Sequence, residues 1–182
     1  MRALIALLIL LAAPLAAQDR AGRDTPGEWV VTHHQPFGLW DSFCDERTTD
    51  DVTEERCYLR YVDVFSPPPK FAAIFVFITP QGGDFGLERG TRFVEGGFRA
   101  ETAGEVTWST TRRGCLRGGA CNFADDEADA LYAALSKGGE LRLTFTDNHG
   151  QAQDLTWDLT PFAEALADYR ANAATRGLLT SG

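Results

Sequence analysis

The segment Leu141-Arg142-Leu143-Thr144-Phe145-Thr146 alternates apolar with polar residues, and the same period of two recurs along most of the chain. Side chains two residues apart share one face of a strand, so such a segment offers one face to a core and one to water. Trp29 to His33, Cys57 to Phe65 and the returning Leu155, Trp157 and Leu159 read the same way. Phe98 to Glu101 and Glu105 to Thr110 form a hairpin turning at Ala103-Gly104, and Asp147-Asn148-His149-Gly150 supplies another turn. Phe71 to Ile78 is apolar at every position, the signature of a central strand. Pro67-Pro68-Pro69 ends the strand before it, because proline cannot donate to a ladder. Gly82 to Gly86 reads as a turn between strands. Two sheets packed face to face absorb this many strands, so the expected class is mainly β, a sandwich with two short helices.

The first helix is expected at about 125–137. Acids Asp125, Asp126 and Glu127 fill its first turn, Lys137 its last, and Gly138 follows as a left-handed cap. Ala128, Leu131, Tyr132 and Leu135 form its apolar face. The second, at about 161–170, opens on Pro161 with Thr160 as its cap, and would dock through Phe162, Leu166 and Tyr169.

The chain begins MRALIALLILLAAPLAAQDR. One positive charge, a short apolar run and then small residues is the order of a secretory signal peptide, with cleavage near Ala17. The run is shorter than the roughly 20 apolar residues that span a bilayer. The expected organisation is a signal peptide at 1–17, a linker at 18–26, a single sandwich domain at 27–170 and a flexible tail at 171–182, where the apolar pattern lapses. No transmembrane segment is expected in the mature chain. Its location is then the periplasm, or the cell surface and medium. The formal charge of −9 becomes −10 once Arg2 is removed, a surface that repels nucleic acid and anionic lipid.

Four cysteines in an exported chain favour two disulfides. Three connectivities are open, and proximity favours Cys44–Cys57 and Cys115–Cys121. The spacings fit structural zinc poorly, since paired ligands usually stand two to four residues apart. Neither pair has the Cys-x-x-Cys form of a redox switch. No metal and no cofactor are expected.

Little else carries chemistry. No Gly-x-Ser-x-Gly elbow surrounds any serine. Asp50, Asp51, Glu54 and Glu55 lack the spacing of a calcium loop and read as a solvated loop. Trp40, in the loop-like Gln35-Pro36-Phe37-Gly38-Leu39-Trp40, is a candidate exposed anchor. Arg112, Arg113 and Arg117 stand out against the acidic background, in the glycine-rich stretch that carries Cys115 and Cys121, as candidate contacts to a partner.

Together, the pair Cys44 and Cys57, the stretch Arg113-Gly-Cys-Leu-Arg-Gly-Gly-Ala-Cys121, a helix ending in Lys137-Gly138-Gly139, the strand Leu141 to Phe145 and the tail Leu155 to Leu166 carry a resemblance. The chain resembles the invasion-associated locus B family of exported bacterial proteins over most of its mature length. It departs from the family at Pro67 to Pro69 and at Pro161, which stands where the family has glycine. The resemblance implies an immunoglobulin-like β-sandwich in the periplasm or at the cell surface, without an established enzymatic activity. The expected function is therefore a non-enzymatic envelope protein that binds another protein or an envelope component. The alternative is a periplasmic enzyme whose site is assembled from scattered histidines and carboxylates, around His33 or His149.

Overall fold

The computed structural model describes residues 28–65 and 72–179. The expected signal peptide at 1–17, the linker at 18–26 and the prolines at 67–69 lie outside the described residues. In chain order the elements are β1 (Val30–Phe37), β2 (Trp40–Thr49), β3 (Val52–Val64), β4 (Ala73–Thr79), β5 (Gly82–Gly86), β6 (Arg92–Thr102), β7 (Glu105–Ser109), α1 (Arg113–Leu116), β8 (Asn122–Phe123), α2 (Asp125–Leu135), β9 (Glu140–Thr146), β10 (Ala152–Asp158) and α3 (Phe162–Thr175).

The strands form two antiparallel sheets, one ordered β1-β2-β3-β4-β5-β8 and the other β10-β9-β6-β7. This is the mainly β, two-sheet arrangement that the alternation demands. Aromatic rings join the sheets. Tyr61 of β3 stacks on Trp157 of β10 with ring centroids 4.1 Å apart, and Phe85 of β5 meets Phe98 of β6 edge-on at 5.0 Å. The Trp157 indole N–H donates to Asp63 Oδ2 at 2.9 Å, so this buried ring keeps its polar edge satisfied.

The two expected helices are α2 and α3. The expected apolar face of α2 (Ala128, Leu131, Tyr132, Leu135) is buried, as are Phe162, Leu166 and Tyr169 of α3. Four details differ. Gly82 to Gly86 is not a turn but strand β5, held between β4 and β8. It is glycine-rich because neighbours crowd it: a Cβ on Gly82 would lie 2.1 Å from the Phe123 carbonyl oxygen. A third helical turn, α1, lies inside the Cys115–Cys121 loop. The expected flexible tail at 171–182 is helical to Thr175, with Ala173 fully buried, and the Leu178 N–H donates to the Ala173 carbonyl at 2.9 Å. Ala171, Ala173 and Ala174 carry no large apolar pattern, yet alanine is the strongest helix former and its small side chain allows close packing. Thr160 does not cap α3. Its hydroxyl and then its own N–H, which donates to Asp158 Oδ1 at 2.8 Å, hold the Asp158 carboxyl below its ordinary range.

Candidate partner-binding cleft

The site begins with the hairpin of β2 and β3. Asp50 and Asp51 both adopt left-handed backbone, φ 51° and 62°, and close it as a tight turn. Of the acids expected in a solvated loop, Asp50 and Asp51 are that turn, whereas Glu54 and Glu55 lie on β3, Glu54 paired with Arg47 and Glu55 facing Arg176 at 3.6 Å. Cross-strand alternation carried on through the polar residues because the turn sits at the middle of the hairpin, not at either cysteine.

Cys44 and Cys57 stand directly opposite each other and are joined by a disulfide, their Cα atoms 4.1 Å apart. So short a separation belongs to a non-hydrogen-bonded pair, in which each residue turns its own N–H and C=O away from the other strand. The Cys44 carbonyl accordingly accepts a bond from the Thr32 hydroxyl on β1. By alternation, the N–H and C=O of Cys57, Glu55 and Thr53 point away from β2, toward the β4 side of β3.

On that side β4 pairs with β3 only from Leu59 onward, opposite Ile78. The chain then turns at Pro80-Gln81 into β5. Seven residues of β3, Val52 to Tyr58, thus have β2 on one side and no strand on the other among the described residues. The gap is an open cleft of about 680 Å³ between this edge, the Pro80-Gln81 turn and Leu178.

The outer wall of the cleft is aromatic and cationic. Rings run across the outward face of the first sheet: His34 stacks on Phe43 at 4.1 Å, Phe43 on Tyr58 at 5.5 Å, and Tyr58 meets Phe77 at 5.6 Å. The Arg56 guanidinium lies 4.0 Å over the Trp29 ring, and Arg60 lies 4.3 Å over Phe43. Beneath Arg56 the fully buried Asp45 accepts through Oδ2 from Arg56 Nε at 3.1 Å, Arg56 Nη2 at 2.9 Å and the Tyr58 hydroxyl at 3.1 Å. Burial, and then the Asp45 carboxylate, push the Tyr58 phenol up to about 12. Tyr58 stays a donor at any physiological pH.

A second cleft of about 680 Å³ lies on the other side of the Pro80-Gln81 turn, walled by Tyr132 and Tyr169 beside Arg170. Both phenol hydroxyls are buried without a hydrogen-bond partner among the described residues. Burial holds both well above the ordinary phenol range.

The residues singled out from sequence are scattered. Trp40 is not an exposed anchor: it is fully buried, donates its indole N–H to the Asp158 carbonyl at 3.1 Å and meets Phe162 edge-on at 4.8 Å. The loop-like stretch before it is a tight hairpin turn at Gly38-Leu39, with Leu39 outermost, so the alternation puts Trp40 on the inner face. Cys115 and Cys121 form the second disulfide. Arg112 folds back onto α2 and β8, pairing with Glu127 and the Asn122 carbonyl and covering the Phe123 ring. Arg113 and Arg117 are exposed and have no ion-pair partner among the described residues.

The histidines are apart. His33 Nε2 lies 2.8 Å from Asp168 and 3.2 Å from Asn172, tying β1 to α3. His34 faces Asp41 at 2.9 Å on the opposite face, and His149 is exposed in its turn. Among the described residues no group of three or more His, Cys, Asp or Glu side chains is gathered to hold a metal ion. Among them, too, no helix is long and apolar enough to cross a membrane.

Sequence reading missed Arg56, Tyr58, Arg60 and Phe77. The signal was present in the apolarity of both faces of residues 71–78, which marks a central strand without saying how far each face is covered. Phe75 and Phe77 are half-buried on the outward face.

Fold and cleft define a two-sheet, mainly β protein with an open strand edge on its larger sheet. No family model matches the chain, and no curated protein matches it. Among solved structures, invasion associated protein B from Bartonella henselae aligns at a TM-score of 0.44 and 19% identity, over 79% of this chain and 99% of that one.

Proposed function

We propose that this is an exported, non-enzymatic protein of the periplasm or cell surface, of the invasion-associated locus B type, that binds another protein or an envelope component. The observation that carries the reading is the cleft beside β3, where an aromatic and arginine-lined wall meets a strand edge with no strand paired to it among the described residues. Two disulfides suit an oxidising compartment, and the N-terminal charge and apolar pattern supply the route there. The sequence resemblance supports the type.

The test is affinity capture from envelope extract of the producing bacterium with three baits: wild type, Gln81→Trp at the cleft rim, and Arg113→Glu/Arg117→Glu on the stapled loop. Partners retained by wild type and the arginine variant but lost with Gln81→Trp support the cleft. Equal recovery with all three baits removes it.

A further inference from the structure

We propose that the cleft takes its partner by strand addition: an extended peptide segment lies antiparallel along the free edge of β3 from Thr53 to Cys57, with acidic side chains on its outer face and apolar ones on its inner face. The inference rests on the reading of the cleft as the binding site and names how it binds and what it selects.

Three observations converge on it. The first is the phase of the ladder. Glu55 and Cys57 direct N–H and C=O into the cleft, and Thr53 directs its own to the same side just beyond it, as the 4.1 Å Cα separation of the Cys44–Cys57 pair requires. These groups have no backbone partner among the described residues. A row of unpaired amides and carbonyls at strand spacing is matched in full by another strand.

The second is room. A strand beside β3 lies about 4.8 Å away. The hairpin overhangs the end of β4 by Val52 to Tyr58, roughly 23 Å at strand rise, and the notch opens on that side. The β4–β5 turn at Pro80-Gln81 closes one end, so the added segment is short. A whole sheet edge of a second folded copy would meet that turn.

The third is charge. The outer wall presents Arg56 and Arg60, whereas Glu55, the acid among the lining residues, is turned toward Arg176. Asp45 engages Nε and Nη2 of Arg56, and Asp41 engages Nε of Arg60 at 3.5 Å. Nη1 of Arg56 and both terminal nitrogens of Arg60 have no acceptor among the described residues. A carboxylate on the outer face of the added strand reaches those donors. The inner face meets Leu178.

The geometry also fixes which peptide nitrogens matter. Residues opposite Glu55 and Cys57 share their inward face, so the apolar residues of the segment turn N–H toward β3 and the acidic ones turn it away. The probes are therefore three labelled, end-blocked peptides: Val-Glu-Val-Glu-Val, the same chain N-methylated at its valines, and the same chain N-methylated at its glutamates. Fluorescence anisotropy reads binding, and amide exchange by NMR reads the edge. The expected result is at least tenfold weaker binding for the valine-methylated peptide and little change for the glutamate-methylated one. The unmodified peptide should slow exchange of the Glu55 and Cys57 amides at least tenfold, and Val-Lys-Val-Lys-Val should bind more weakly. Equal binding of the two methylated peptides, or binding that leaves those amides unprotected, overturns strand addition and leaves the cleft to its capture test. No binding by the unmodified peptide overturns the stated selectivity. No variant of the protein is needed, so misfolding cannot imitate a positive result.

Discussion

Phe75 and Gly86 face each other across β4 and β5, and the Phe75 ring occupies the space a side chain on Gly86 would need: a Cβ there would lie 1.9 Å from Cζ. Glycine is required by the ring and not by the backbone, since Gly86 is not among the residues with positive φ. Gly86→Ala should therefore cost about 1–3 kcal/mol, the usual cost of overpacking. Adding Phe75→Ala removes the obstacle, so the double variant should be less destabilised than the sum of the two single changes. Urea unfolding of the four proteins measures this. Additivity would mean that the ring moves aside at no cost.

All four tyrosines of the chain have phenols raised by burial, Tyr58 and Tyr61 to about 12 and Tyr132 and Tyr169 further. A folded-state value above the unfolded one means that the native state holds its protons longer. That stability is complete below the ordinary phenol value of 10.0 and is lost as pH climbs through 10 toward 12. The phenolate absorbance of the folded protein should show no step near pH 10, and the midpoint of denaturant unfolding should fall over that interval. A full tyrosine step near 10 in folded protein refutes the burial of these hydroxyls.

Asp147 shows the opposite sign. Burial alone would raise its carboxyl. The Gln151 N–H at 2.8 Å, the Gln153 amide at 2.9 Å and the His149 N–H at 2.9 Å outweigh that and hold it below its ordinary value of 3.8. Its contribution is present above that value and disappears as pH falls below it. Wild type should be more stable than Asp147→Ala at neutral pH, with the gap narrowing in acid. A gap independent of pH would show that the turn is held by shape rather than by charge.

Intact mass before and after reduction should show no alkylated thiol in the native protein and four after reduction. Removing the Cys44–Cys57 link, which spans a sequence separation of 13, should cost about 3 kcal/mol in the chain-entropy model. Free thiols in native protein isolated without reductant would contradict the pairing.

The sequence disclosed what periodicity can disclose. Leu141, Leu143 and Phe145 alternate against polar neighbours and are buried in that order on β9, and Ala128, Leu131, Tyr132 and Leu135 mark the inner face of α2. Trp40 went astray because composition suggested a loop where two residues suffice to turn β1 into β2. Gly82 to Gly86 went astray because glycine can mark close packing as readily as a turn. The open edge that makes the cleft was not legible. It depends on β4 ending at Thr79 while β3 continues to Val52, a mismatch of strand ends that appears only once the register between them is known.

The disulfide between Cys44 and Cys57 stands where the paired and overhanging parts of the hairpin meet. Residues gained or lost beyond that clasp leave the alignment of Cys44 with Cys57, and of every pair below it, unchanged. The overhang can therefore lengthen or shorten over evolutionary time without repacking Trp157 or Tyr61. Recognition can drift in reach while the interior stays fixed.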